Sequence, residues 1–189
     1  MTGQAMRIAV YSGTFNPLHV GHLAIMRLLQ DRFDATYLVV SPKNPLKASI
    51  SADSGPERWR SAVEAVGRHP DLRRVRVDGI ELGMEPPHYT VRTLDALRER
   101  EPGNTFTLVV GADNLAGFRS WRDYGRILRD YGVTAYPRTG FDLPAIAAGL
   151  LAEDPSYRIE ILDAPTVDIS SSEIREGLAS GRDMSAWLM

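Results

Sequence analysis

The sequence contains no cysteine. That excludes disulfides, thiolate metal sites and a cysteine nucleophile, and it fits a reducing compartment, so a cytoplasmic location is expected. Nothing in it approaches the roughly 20 consecutive apolar residues that span a bilayer. The opening stretch, MTGQAMRIAVY, has neither the basic start nor the long apolar core of a secretory signal. No membrane partner is expected. Charge of one sign is also missing: 22 Lys and Arg face 24 Asp and Glu, for a net charge of −2. A broad nucleic-acid surface is usually far more basic, so no nucleic-acid partner is expected either. Low-complexity segments and internal repeats are absent. What is present is 189 residues, 43% of them hydrophobic. That is enough for one domain with a core that needs no staples, spanning residues 6–189 behind a short tail at 1–5. A homo-oligomer is compatible with this composition.

The chain alternates between two hydrophobic periods. RIAVYS (Arg7–Ser12) is a short β-rich run, and VGHLAIMRLLQDRF after it places apolar residues at helical spacing. ATYLVVS (Ala35–Ser41) is almost continuously apolar, as a buried parallel strand should be. The alternation then continues. GPERWRSAVEAVGRH reads as a helix with Ser54 as cap and Pro56 in its first turn. RRVRVDGIEL reads as a strand, TVRTLDALRER as a helix capped by Thr90, and TFTLVVG as another buried strand. WRDYGRILRDYG reads as a helix ended by Gly132, followed by strand VTAYP, helix LPAIAAGLLAED, strand YRIEILD and helix SSEIREGLASG. Strand–helix alternation on this scale predicts an α/β fold with a doubly wound, mostly parallel sheet. Ligands of such sheets sit beyond the carboxyl ends of the strands. The loops to inspect are therefore those that follow strands, and most of the unusual residues lie there.

The first of these loops is SGTFNPLHVGH. Gly13 permits a tight exit from the strand and a close approach of backbone to ligand, and Pro17 fixes the path. A helix beginning near Val20 would point its free N–H groups and positive dipole end into the site. His19 and His22 are three residues apart, hence neighbours on the first turn, where the dipole favours neutral rings that can still donate from one nitrogen. A single histidine at a helix start is more often structural or solvated. H-x-x-H as a metal site lacks the glutamate and third ligand of a zincin, and no GK[ST] follows to make a Walker A loop. The stretch GTFNPLHVGH as a whole resembles the G-x-F-x-P-x-H-x-G-H motif of the nucleotidylyltransferase superfamily. Its H-x-G-H is similar to the HIGH motif of class I aminoacyl-tRNA synthetases, but the chain is too short for a tRNA-charging enzyme and has no KMSKS-like stretch.

A second motif lies near the other end. In DISSSEIR (Asp168–Arg175), Ser170–Ser172 can cap a helix and Arg175 lies one turn further on the same side, where a guanidinium can grip phosphate. A plain capping box from Ser170 to Glu173 would account for the same letters. The stretch also resembles the I-S-S-T/S-x-I-R motif of the same superfamily. GADNLAGFRSW is similar to the G-x-D-x(4)-F-x-x-W stretch of the nicotinate-mononucleotide adenylyltransferase family, SPKNPLK to its P-x-x-x-P-x-K loop, HYTVRTL to its S-Y-T-x-D-T-L, and YPRTG to its R-P-G loop. The resemblance runs from Arg7 to about Met189. Asn16 stands where many members have Asp, Leu46 where His is common, His88 in place of Ser and Arg92 in place of Asp.

The resemblance implies transfer of the adenylyl group of ATP to nicotinate mononucleotide, giving deamido-NAD and pyrophosphate. It implies catalytic roles for His19, His22 and Arg175. Gly13, Thr14, Phe15, Gly111, Asp113, Arg138, Ile169, Ser170 and Ser171 would meet ATP, with Gly111 and Asp113 at the ribose. Asn16, Lys47, Tyr89, Thr90 and Trp121 would meet the mononucleotide, Lys47 at its phosphate and Trp121 stacked on its pyridine ring. An electron-poor cationic ring sits well on an indole face. Mg²⁺ would accompany ATP, held mostly by water and phosphate, so no protein metal site is expected. The alternatives are a nicotinamide-nucleotide or dual-specificity adenylyltransferase, another nucleotidylyltransferase such as the phosphopantetheine enzyme, and a non-catalytic nucleotide sensor on the same fold.

Overall fold

A computed structural model describes residues 4–42 and 54–189. One six-stranded sheet organises them, in the order β3-β2-β1-β4-β5-β6 with every neighbouring pair parallel. The strands are β1 (Arg7–Gly13), β2 (Ala35–Val40), β3 (Val75–Asp78), β4 (Thr105–Gly111), β5 (Val133–Tyr136) and β6 (Ile159–Ile161). The helices between and after them are α1 (Val20–Leu29), α2 (Gly55–Gly67), α3 (Thr90–Arg100), α4 (Ala112–Ala116), α5 (Tyr124–Arg126), α6 (Leu143–Glu153) and α7 (Ser171–Ala179).

Alternation along β1 explains why its buried stretch, Ile8–Tyr11, is apolar at successive positions. Ile8 and Val10 enter one core with Leu94, Phe106, Phe118 and Leu150, while Ala9 and Tyr11 enter a second with Leu23, Met26 and Leu38. Both faces of the central strand are covered, so neither parity can be polar. The chain winds from β1 outward to β3, then crosses back to β4 on the other side of β1. The order therefore reverses between β1 and β4, and a crevice opens beyond their carboxyl ends. Gly13 and Gly111 terminate these two strands.

Three elements differ from the sequence expectation. The strand expected over RRVRVDGIEL stops at Asp78, whose Oδ1 accepts from the Ile80 N–H at 3.0 Å and turns the chain into a 3₁₀ turn at Ile80–Gly83. The helix expected from Trp121 starts only at Tyr124, because Asp123 is left-handed at φ 53°, and it runs on as a π-turn over Ile127–Tyr131. Gly132, at φ 76°, ends it as expected. Thr90 is not a cap: Tyr89 occupies the N-cap position and makes no side-chain capping bond.

Candidate active site

A cavity of about 510 Å³ occupies the crevice at the switch point. Its walls bring together Gly13–Asn16 and both histidines from the first loop, Tyr89 and Thr90 at the start of α3, and Gly111 and Asp113 after β4. Trp121, Arg138, Ser170, Ser171 and Arg175 complete it. The two distant motifs thus meet in one place.

His19 is the N-cap of α1 and its Nδ1 accepts from the Gly21 N–H at 3.1 Å. His22 Nδ1 accepts in turn from the His19 N–H at 3.2 Å, closing a capping box made of two imidazoles. Part of the expected cradle of free helix N–H groups is therefore satisfied by the rings themselves. The two rings stack with centroids 3.7 Å apart, and His22 also meets the Phe15 ring edge-on at 5.1 Å. A ring whose Nδ1 accepts from backbone carries its proton on Nε2 when neutral. Neutral they are: burial, with the positive Arg138 second, brings the His19 pKa down to about 4. Burial, then His19 and Arg138, pushes His22 well below its ordinary range. Each ring thus keeps one N–H, at Nε2, for a ligand.

The first loop is set by Phe15, which sits at φ 46° with its ring 3.1 Å from where a Cβ on Gly13 would lie. That conformation turns two carbonyls toward α7. Arg175 Nη1 donates to the Asn16 carbonyl at 2.6 Å, and Ser171 Oγ donates to the Pro17 carbonyl at 2.9 Å. Arg175 Nη2 donates to Ser172 Oγ at 3.0 Å, so part of its donor fork is already engaged. Ser170 caps α7 by accepting from the Glu173 N–H at 3.2 Å. The reciprocal half of the capping box is missing, because the Glu173 carboxylate accepts from the Ser170 hydroxyl at 2.7 Å instead. Ile169 does not line the cavity; it packs with Ile174 and Met184 beneath the start of α7. Asn16 Nδ2 is a buried donor with no hydrogen-bond partner among the described residues.

On the β4–β5 side, Asp113 and Arg138 face one another at 3.7 Å. A Cβ at Gly111 would run into the Asp113 carboxylate and displace it. Trp121 lies against Phe118 with ring centroids 4.7 Å apart, which fixes its plane from behind. Lys47 lies outside the described residues, as does Leu46.

Several wall residues carried no sequence signal. Arg58 is 5% exposed and donates to the carbonyls of Thr14 (2.8 Å), Ser41 (2.7 Å) and Pro42 (2.7 Å), tying the first loop to the exit of β2. Glu81, 3% exposed, accepts from the hydroxyls of Ser41 and Thr93 and so ties that exit to α3. Tyr11 and Tyr136 meet hydroxyl to hydroxyl at 3.2 Å on the cavity floor. A lone arginine in an exposed-looking helix repeat and a Glu in an apparent strand offer nothing to search for.

Residues 10–177 match the model of the cytidylyltransferase-like family. A probable nicotinate-nucleotide adenylyltransferase of Flavobacterium johnsoniae is 34% identical over 97% of this chain and 92% of its own length. One from Bacteroides thetaiotaomicron is 34% identical over 97% and 87%. The chain belongs to the cytidylyltransferase-like family and, within it, to the nicotinate-nucleotide adenylyltransferases. The fold is shared with the Plasmodium falciparum nicotinic acid mononucleotide adenylyltransferase complexed with NaAD, at a TM-score of 0.74 and 17% identity, over 95% of this chain and 87% of that one. Among the described residues no helix is long and apolar enough to cross a membrane, and no group of three or more His, Asp or Glu side chains could hold a metal ion.

Proposed function

We propose that this adenylyltransferase joins nicotinate mononucleotide to the adenylyl group of ATP, giving deamido-NAD and pyrophosphate, and that it does so in the cytoplasm. The supporting observation is the capping box of two imidazoles, both rings holding backbone through Nδ1, on the wall of a cavity that a supported indole also lines. The phosphate of the mononucleotide has a second pKa of about 6 and is mostly dianionic at pH 7. One of its oxygens attacks the α-phosphorus of ATP. The bond from that phosphorus to the bridging oxygen breaks, and pyrophosphate leaves with the electron pair. No general base is required, so the protein's task is alignment and charge stabilisation.

His22 donates from Nε2 to the α-phosphoryl oxygens. His19 and the part of Arg175 left by Asn16 and Ser172 hold the departing phosphates. Gly13, Thr14 and Phe15 form the floor under the phosphates, with Ser170 and Ser171 at the start of α7; Ile169 supports them from the core. Gly111, Asp113 and Arg138 receive the ribose and adenine side. Asn16, whose buried Nδ2 lacks a partner among the described residues, and Tyr89, Thr90 and Trp121 would meet the mononucleotide, and the resemblance assigns Lys47 to its phosphate. The acids on the cavity wall, Glu81 and Asp113, are engaged by Ser41 and Thr93 and by Arg138. Mg²⁺ would therefore be held by ATP phosphates and water, and it supplies further neutralisation of phosphate charge.

The test is pyrophosphate release from ATP and Mg²⁺ with nicotinate mononucleotide in one reaction and nicotinamide mononucleotide in another. Turnover with preference for the acid is expected. Turnover with neither would overturn the assignment.

A further inference from the structure

The aromatic wall of Trp121 and Tyr89 recognises a pyridine ring but is indifferent to whether that ring bears a carboxylate or an amide. A carboxylate, unlike an amide, gains from a positive charge at the same end of the cavity. Among the described wall residues, most charged side chains are committed to protein groups. Arg58 serves three backbone carbonyls, Arg138 faces Asp113, Arg175 holds Asn16 and Ser172, and Glu81 accepts from two hydroxyls. Arg122 differs. It lines the cavity immediately after Trp121, its guanidinium lies 5.9 Å from the centre of the Tyr89 ring, and its one ion-pair contact among the described residues is Asp123 at a loose 3.9 Å. Its side chain is 66% exposed, so it can move without breaking a buried contact.

We infer that Arg122 sets the preference of this enzyme for a pyridine carboxylate over the carboxamide. The inference rests on the adenylyl-transfer reading above. The Tyr89 face holds the guanidinium at the pyridine end in the free enzyme. When the nucleotide enters and stacks on Trp121, a carboxylate on the ring accepts from the planar fork of Arg122, whereas an amide offers only a neutral carbonyl. Asp123 is left-handed at φ 53° and starts the next helix, so the backbone beside Arg122 is fixed while its side chain is not. An ion pair that stays half in water contributes modestly, and the selectivity it supplies should be about fivefold rather than a thousandfold.

The experiment measures kcat/KM for nicotinate mononucleotide and nicotinamide mononucleotide, with saturating MgATP, for wild type, Arg122→Gln, Arg122→Lys and Arg122→Glu. Tryptophan quenching gives the matching ratio of dissociation constants where amide turnover is too slow to read. The acid-to-amide ratio should fall about fivefold in Arg122→Gln, further in Arg122→Glu, and recover only in part in Arg122→Lys, which keeps the charge but not the fork. The change should lie in KM rather than kcat. Raising ionic strength should shrink the wild-type ratio and leave that of Arg122→Gln flat. A ratio unchanged in Arg122→Gln, or equal losses on acid and amide, would overturn this inference alone. Wild type inactive on both nucleotides would instead overturn the adenylyl-transfer reading, and the inference with it.

Discussion

Replacing His22 by alanine separates two things that the ring does. Its Nδ1 accepts from the His19 N–H at 3.2 Å, which belongs to the fold, and its Nε2 proton is the one assigned above, as a proposal, to the α-phosphoryl oxygens. Loss of a helix-capping contact costs about 1 kcal/mol of stability. Loss of one preorganised donor to a developing phosphoryl charge costs roughly 3 kcal/mol of transition-state stabilisation, or ~10²-fold in kcat. The two are read independently. Urea denaturation followed by circular dichroism should show a small drop in midpoint with an unchanged slope. Steady-state pyrophosphate release should show a fall of about a hundredfold in kcat with little change in KM for either substrate. His19 remains in place but loses its stacked neighbour at 3.7 Å, so its own contribution is not transferred to the vacancy. Wild-type turnover in a folded variant would refute the assignment of the α-phosphoryl donor. A loss of turnover matched by a collapse of the denaturation midpoint would show that the ring serves the fold only.

Three further outcomes are expected. Trp121→Ala should raise KM for the pyridine nucleotide about tenfold and leave KM for ATP alone, since ring stacking of this kind contributes about 1–2 kcal/mol; an unchanged KM would remove the stacking role. Gly111→Ala should raise KM for ATP selectively, because the added methyl displaces the Asp113 carboxylate; equal KM values in the two proteins would mean that Asp113 does not touch ATP. The third concerns acid. The His19 pKa, near 4 in the folded chain, lies below the ordinary value of about 6.5, so the unfolded chain binds more protons between those limits. Stability should therefore decline as pH falls from about 6.5 to 4, by about 3 kcal/mol in total from His19. His19→Asn, which keeps a capping side chain but does not titrate, should flatten that decline; an identical slope would show that the burial of His19 is not what sets it.

How much of this was readable in the letters depends on what kind of signal each part carries. The alternation of β-rich and helical periods gives the doubly wound sheet because parallel strands covered on both faces are apolar at nearly every buried position, as Ile8–Tyr11 of β1 and Tyr37–Val40 of β2 are. The first loop was readable because its residues combine a glycine exit, a proline and two polar rings within one helical turn. Local overrides were not readable. Asp78 ends β3 by bonding the chain two residues on, and Asp123 adopts a left-handed conformation that postpones α5. Neither competes visibly with the hydrophobic period around it. Arg58 and Glu81 escaped for a different reason. Their meaning lies in backbone carbonyls and hydroxyls from other elements, which only the packing of α2 and the 3₁₀ turn against β2 brings within reach.

The union of the two motifs also has a physical cause beyond strand order. Phe15 at φ 46° is a backbone conformation that side chains adopt at a cost of about 1–3 kcal/mol, and its ring covers the face of Gly13 that a Cβ would fill. The turn it makes leaves the carbonyls of Asn16 and Pro17 without partners inside their own loop. Ser171 and Arg175, more than 150 positions along the chain, supply the missing donors. The last helix is thereby fastened to the first loop by the loop's own unsatisfied backbone, and the same helix start that satisfies it faces the cavity. On the adenylyl-transfer reading proposed above, Arg175 does two jobs with one fork. Its removal would free the Asn16 carbonyl as well as a phosphate contact, so a loss of turnover in Arg175→Ala measures both. Arg175→Lys can restore a single bond to that carbonyl but not the fork. The loss that persists in Arg175→Lys, where the Asn16 carbonyl keeps a donor, isolates what the guanidinium fork does for phosphate.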